Sequence, residues 1–178
     1  MSDFVSKTIG EVIKETAGRI PDHPALVATE FNVRLNYSQL YDQCRKTARG
    51  LIALGVKRGD HVSVWTTNVP EWVYLQFALG MVGAVLVTIN TNYQTHELEY
   101  IVKQSDSTTL FLIDAYRDTS FYETVRRVLP ELDRDQPGKI DSPKLPLLKN
   151  IVYIGKREST PGMFKFQDLI SMGESVSE

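Results

Sequence analysis

The chain contains few of the residues from which disulfide frameworks and thiolate metal clusters are built. It has one cysteine, Cys44, in 178 residues, so it cannot form an internal disulfide. Cys44 lies on the apolar face of a predicted helix, which favours core filling over a nucleophilic role. The three histidines, His23, His61 and His96, lie far apart and lack the spacing of metal ligands. We therefore expect no metal centre, and the unpaired thiol favours a reducing, cytoplasmic compartment.

The chain also lacks an excess of positive charge and a long apolar run. The formal net charge is −2 with both signs interspersed, which argues against a nucleic-acid partner. The most apolar stretch, residues 72–89, is interrupted by two glycines and is too short to cross a bilayer. Residues 1–7 lack the basic flank and apolar segment of a secretory signal. We expect no transmembrane segment.

Familiar nucleotide and hydrolase motifs are missing as well. Residues 80–83 give only G-x-x-G, and residues 155–157 (GKR) lack the upstream glycine and following hydroxyl of a phosphate loop. No G-x-S-x-G nucleophile turn is present. Glu97 and Glu99 would lie on different faces of a predicted helix, which disfavours an acid–base pair. None of these motifs therefore identifies a catalytic residue in this chain.

Residues 55–90 carry the strongest structural pattern in the sequence. A glycine turn at 55–60 leads into the apolar strand 61–65, a helix that begins at Pro70, and a second apolar strand that ends near Ile89. Proline is well tolerated at the first helical position because its missing N–H would be unpaired there anyway. The pattern predicts a β-α-β unit with parallel strands.

The flanking segments extend this alternation. Predicted helices lie at residues 8–20, 36–52, 70–82, 95–104 and 120–129, and predicted strands at 25–28, 33–36, 61–65, 84–89 and 109–114. The first two strands favour a small hairpin. The alternation predicts an α/β fold with a doubly wound, mainly parallel sheet, helices on both faces and an N-terminal β-hairpin. We place the α/β core at about residues 33–129.

The composition changes after residue 129. Four prolines punctuate the charged stretch 130–149, which we expect to be a surface excursion. A final strand is predicted at 150–154, and a short strand and helix turn at 163–170. The polar tail, residues 173–178, is expected to fray.

Two polar segments follow predicted parallel strands. Residues 88–94 and 114–117 leave the carboxyl ends of their strands, where open α/β sheets bind ligands. The alternative is that both are polar loops that only satisfy their own backbone groups.

Five segments stand out by their order and spacing: residues 35–40 (LNYSQL), 55–62 (GVKRGDHV), 68–71 (NVPE), 83–90 (GAVLVTIN) and 97–102 (ELEYIV). Together they resemble the N-terminal part of the AMP-forming acyl-CoA synthetases, and the resemblance covers about residues 5–115. This adenylating superfamily also includes luciferases and peptide-synthetase adenylation domains, and a fatty-acyl-CoA ligase is the nearest type.

The resemblance implies an enzyme that activates a carboxylate, expected to be a fatty acid, with Mg-ATP and transfers it from the acyl-adenylate to CoA. The family's Ser/Thr/Gly-rich loop ending in Pro-Lys-Gly, its later motifs and its lysine-bearing C-terminal domain are absent from these 178 residues. We therefore expect the N-terminal subdomain of a longer ligase, ending just before the ATP site. Alone it should be inactive and should bind ATP, Mg and CoA only weakly.

The same resemblance suggests two binding residues. Relatives bring CoA close to the loops that correspond to residues 90–94 and 116–117. Arg117 is expected to pair with a phosphate of CoA, and Gln94 to line the CoA or acyl path.

Two further interpretations remain open. The chain could be a stand-alone flavodoxin-like module that binds a nucleotide or a protein. It could also be a regulatory or scaffold protein that kept this subdomain without the catalytic part.

Overall fold

The computed structural model describes residues 6–177 and confirms the predicted alternation of helices and strands, with small shifts at their ends. Two short segments lie outside the described range: residues 1–5, which belong to the N-terminal stretch without a secretory-signal pattern, and Glu178, the last residue of the tail. The helices are α1 (Ile9–Arg19), α2 (Tyr37–Ala53), α3 (Pro70–Val82), α4 (Thr95–Gln104), α5 (Phe121–Val128) and α6 (Phe166–Gly173). The strands are β1 (Pro24–Ala28), β2 (Val33–Asn36), β3 (His61–Trp65), β4 (Val85–Thr88), β5 (Ser107–Ile113), β6 (Ala115–Tyr116), β7 (Thr119–Ser120), β8 (Asn150–Ile154) and β9 (Phe164–Lys165).

The main sheet has the strand order β4-β3-β5-β8-β9, and every neighbouring pair is parallel. Numbered along the chain, its strands follow the flavodoxin-like order 2-1-3-4-5. The right-handed crossover from β3 to β4 runs in one direction along the sheet, and the crossover from β4 to β5 runs back past β3. Their helices, α3 and α4, therefore lie on opposite faces of the sheet. Helices α1, α2, α3 and α6 pack together, and α4 packs with α5. The doubly wound parallel fold is therefore confirmed.

Local sequence signals set the helix ends. Thr8 accepts a hydrogen bond from the Glu11 amide (3.2 Å), and the Glu11 carboxylate accepts one from the Thr8 amide (2.7 Å). Asn36 and Gln39 form the same reciprocal pair before α2. Helix α2 is followed by Gly55 with φ +94°, a left-handed conformation that glycine adopts without a side-chain clash.

The N-terminal hairpin is also present. Strands β1 and β2 pair antiparallel, with Ala28 opposite Val33. A single turn of 3-10 helix, Thr29–Phe31, connects them, and Asn32 closes it with φ +53°. The hairpin forms its own two-stranded sheet beside the main one.

The segment 130–149 differs from the surface excursion expected from its prolines and charges. A short 3-10 helix, Pro130–Asp133, opens it, and four of its apolar side chains are almost fully buried. They are Leu132, Ile140, Leu145 and Leu148. Because these residues are irregularly spaced among charged ones, they create no helical or strand periodicity that could have revealed their burial.

Two smaller differences lie further along the main sheet. The loop expected after β5 contains a short antiparallel hairpin, β6–β7, in which Tyr116 pairs with Thr119. The sequence predicted a frayed tail from Gly173 onward. Gly173 is instead buried, as the last residue of α6.

Helix α6 crosses α2 at very short range. A Cβ added to Gly50 would lie 2.5 Å from the Leu169 carbonyl oxygen, and one added to Gly173 would lie 2.6 Å from the Gly50 amide nitrogen. Leu169 itself is fully buried. Only glycine permits this approach, so the small residues fix where the last helix docks.

Cys44 has the role expected from its position on α2. Its side chain is fully buried, and removal from water raises the pKa of its thiol to about 12. A thiol with so high a pKa carries almost no thiolate at neutral pH, so the prediction that Cys44 fills the core is confirmed.

We expect Gly50→Ala to lower the free energy of unfolding by about 1–3 kcal/mol, because the new methyl must push α2 and α6 apart. Gly18→Ala is the matched control: Gly18 lies in α1 with no heavy atom within 4 Å of an added Cβ. That change should be neutral or stabilise by up to about 1 kcal/mol. Urea unfolding followed by circular dichroism measures both, and equal effects would contradict the close crossing.

Candidate functional site

The sheet order places a crevice between the carboxyl ends of β3 and β5. From β3 the chain crosses to β4 on one side, and from β5 it continues to β8 on the other. The two crossovers leave in opposite directions, so the loops after β3 and β5 diverge above the sheet. Residues 66–69 therefore belong to the candidate site, although the sequence pattern pointed only to the loops after β4 and β5.

A cavity of about 390 Å³ lies at these strand ends. The carboxyl ends of β3, β5 and β8 line it through Thr67, Asp114 and Lys156, and the start of α6 contributes Phe166. A larger depression of about 520 Å³ lies beside it, between the β1–β2 hairpin and the start of α3. The two share Phe31 and Val69 in their walls, so they border one another.

Asp114 ties β5 to β8 at the rim of the cavity. Its carboxylate accepts hydrogen bonds from the Tyr153 hydroxyl (3.2 Å) and from Nε of Arg157. The Arg157 guanidinium also lies over the Tyr122 ring, 4.1 Å from its centre. Burial, and then the negative charge of Asp114, raise the pKa of Tyr153 above its ordinary value. At neutral pH the hydroxyl therefore remains a proton donor to Asp114.

Trp65 holds the neighbouring part of the site together. It is fully buried at the end of β3, and its ring stacks on Phe121 with centroids 3.8 Å apart and planes within 6°. Its indole N–H donates to the Asn90 carbonyl oxygen at 3.1 Å. One side chain thus joins the loop after β4 to the first residue of α5.

The two predicted binding residues lie on neighbouring segments. Gln94 is exposed immediately before α4, and its side-chain amide donates to the Thr119 hydroxyl at 2.9 Å. Thr119 belongs to the β6–β7 hairpin, whose two-residue turn begins at Arg117. The fold therefore brings the loop after β4 against the hairpin after β5. Whether Gln94 and Arg117 bind CoA stays a prediction.

Arg117 has an unusual backbone conformation. Its φ is +52°, in the left-handed region that costs a residue with a side chain about 1–2 kcal/mol. The guanidinium is exposed and lies 5.0 Å from the centre of the Tyr116 ring. Within residues 6–177 it has no carboxylate partner, so its charge is available to an anion.

The remaining candidates from the sequence do not assemble into a catalytic group. His23, His61 and His96 stay separate, and residues 6–177 contain no cluster of three or more histidine, cysteine, aspartate or glutamate side chains that could hold a metal ion. Nδ1 of His61 lies in hydrogen-bond contact with the Ser105 carbonyl oxygen. The sequence also lacks the glycine-rich phosphate loop of the nucleotide-binding motif.

Comparison with known proteins decides the family. The family model described as "AMP-binding enzyme" matches residues 13–160. The chain belongs to the AMP-binding enzyme family. A putative acyl-CoA synthetase of Bacillus subtilis, YngI, is 42% identical over all 178 residues, which span 32% of its length. The mouse mitochondrial medium-chain acyl-CoA ligase ACSF2 is 34% identical over 172 residues, or 97% of this chain and 28% of that protein.

Solved structures of CoA ligases share the fold. A putative long-chain-fatty-acid CoA ligase from Rhodopseudomonas palustris superimposes with a TM-score of 0.73 over 94% of this chain and 36% of that one, at 24% identity. The chain thus spans about a third of the length of the curated relatives that it matches. Within residues 6–177, no helix is both long and apolar enough to cross a membrane.

The conformation of Arg117 can be tested through stability. We expect Arg117→Gly to be about 1 kcal/mol more stable than Arg117→Ala, because glycine adopts a positive φ without strain and alanine does not. Urea unfolding of the two variants measures the difference. Greater stability of the alanine variant would show that residue 117 is not left-handed in solution.

Proposed function

We propose that this chain forms the N-terminal α/β part of an AMP-forming acyl-CoA ligase. In this reaction a carboxylate attacks the α-phosphate of Mg-ATP, giving an acyl-adenylate and pyrophosphate. The CoA thiol then displaces AMP and forms the thioester. The observation that carries the proposal is the family match over residues 13–160, together with relatives named as acyl-CoA synthetases and ligases.

A fatty acid is the proposed carboxylate. One of the relatives is named a medium-chain acyl-CoA ligase. The reaction is proposed for a longer protein, because this chain spans only 32% and 28% of the length of these two relatives. We propose a cytoplasmic location, which the single thiol of Cys44 favours.

Arg117 is the proposed contact for CoA. The CoA molecule carries phosphate groups, and an arginine guanidinium binds phosphate through charge-assisted hydrogen bonds. Arg117 is exposed at the turn of the β6–β7 hairpin, without a carboxylate partner among residues 6–177. Its positive φ is what a two-residue hairpin turn requires at its first position, and it places the side chain at the tip of the hairpin.

The sheet order also supports a second candidate function. A 2-1-3-4-5 parallel sheet with a cavity of about 390 Å³ at its carboxyl edge resembles a stand-alone nucleotide-binding module. A ligand at about 100 times its Kd would stabilise the 178-residue chain by about 2.7 kcal/mol. Thermal shifts with ATP, CoA and FMN test this candidate, and the ligase proposal expects only small shifts for the isolated chain.

The ligase proposal is tested with the complete reading frame of the gene. We expect its product to form AMP and acyl-CoA from ATP, CoA and fatty acids of graded length, detected by liquid chromatography. The 178-residue chain alone is the control and should form neither product. The proposal fails if the reading frame encodes no Ser/Thr/Gly-rich loop ending in Pro-Lys-Gly, or if its product forms no AMP with any carboxylate.

We expect Arg117→Ala in that protein to raise the KM for CoA about ten-fold or more, the loss typical of a hydrogen bond to a charged group. Pyrophosphate exchange into ATP, which needs no CoA, should keep its rate. Arg127→Ala is the control for the change in net charge, because it removes an equal charge from the last turn of α5. An unchanged KM for CoA in the Arg117 variant would remove this residue from the site.

A further inference from the structure

A hydrogen bond between the side chains of Gln94 and Thr119 links the start of α4 directly to the β6–β7 hairpin. The side-chain nitrogen Nε2 of Gln94 donates to the Thr119 hydroxyl at 2.9 Å, and the two residues are 25 positions apart in the sequence. The backbone on the Gln94 side is itself fixed, because its N–H donates to the Glu97 carboxylate at 3.1 Å. The bond therefore anchors the hairpin to the end of a well-formed helix.

The β6–β7 hairpin connects the Gln94–Thr119 hydrogen bond to Arg117. Thr119 pairs with Tyr116 across the two strands, and the Arg117 guanidinium lies over the Tyr116 ring. A two-stranded hairpin with only two residues in each strand has little stability of its own. Helix α5 packs against both of its strands, and Gln94 adds a side-chain contact from the start of α4.

Holding the hairpin matters because Arg117 is exposed and has a long side chain. Ordering such a side chain at the moment of binding costs conformational entropy, which a preorganised site avoids. Its backbone is already held in the left-handed region, and its guanidinium rests on an aromatic ring. The backbone of the arginine is thus held before any ligand arrives, and its exposed guanidinium has one ring contact.

We propose that Gln94 and Thr119 are positioning residues that hold the hairpin so that Arg117 faces the phosphate of CoA. The proposal rests on the proposed function, in which Arg117 makes that contact. It changes the role expected for Gln94: the side-chain amide is committed to Thr119 and acts through the hairpin, without lining the CoA path itself.

The test measures the Kd for CoA by calorimetry, with protein from the complete reading frame. Thr119→Val removes the acceptor at nearly constant shape and should weaken CoA binding about five-fold, the value of one neutral hydrogen bond. Gln94→Ala should have a similar effect. The double variant should be no weaker than either single variant, because both remove the same bond. Thr119→Ser keeps the hydroxyl and should restore binding close to that of the unmodified protein.

A second measurement separates positioning from a general loss of structure. The rate of pyrophosphate exchange and the temperature of unfolding should stay unchanged in the Thr119 and Gln94 variants, while the Kd for CoA rises. If the exchange rate and the unfolding temperature both fall as the Kd for CoA rises, the bond only supports the fold, and the proposal is overturned.

The remaining outcomes are distinct. If Arg117→Ala weakens CoA binding but Thr119→Val does not, the positioning proposal fails and the contact at Arg117 stands. If Gln94→Ala weakens binding and Thr119→Val does not, Gln94 contacts CoA directly and the proposal is again wrong. If Arg117→Ala has no effect, or the unmodified protein does not bind CoA, the proposed contact fails and the positioning role fails with it.

Discussion

The pairing of β3 between β4 and β5 is the constraint on which the rest of the structure depends. Residues 62–65 of β3 are buried, and the strand forms parallel ladders on both sides. Because the chain leaves β3 toward β4 and later leaves β5 toward β8, this one pairing creates the crevice at the carboxyl ends. It also brings Trp65 to the point where the loop after β4 meets the start of α5.

Around that point, polar contacts between side chains distant in sequence define the geometry of the candidate site. Asp114 connects β5 to Tyr153 and Arg157, and Gln94 connects the start of α4 to the β6–β7 hairpin. The ion pair between Asp114 and Arg157 is substantially exposed, so its value lies in fixing geometry rather than in stability. The conformation of Arg117 also depends on the tertiary structure, because the surrounding fold must hold this residue in the left-handed region.

The parts of the fold predictable from sequence were those with a regular physical pattern. The apolar runs of β3 and β5, the reciprocal caps at Thr8 and Asn36, and the proline at the start of α3 each act through neighbours within a few residues. The buried leucines of segment 130–149 follow no such period. The β6–β7 hairpin has only two residues in each strand, too few to produce a recognisable alternation. For the same reason the contacts of Asp114 with Arg157 and of Gln94 with Thr119 could not be predicted.

The sequence by itself determined the class of the fold, the order of its main elements, the core position of Cys44 and the resemblance to the AMP-forming synthetases. These depend on short-range patterns and on motifs in a fixed order. Only the tertiary structure decided that the crevice lies between β3 and β5, that Gly50 and Gly173 let α6 dock on α2, and that Gln94 supports the hairpin that carries Arg117. The physical reason is that strand order, helix crossing and side-chain pairing join residues far apart in the chain, and no local pattern encodes which partners will meet.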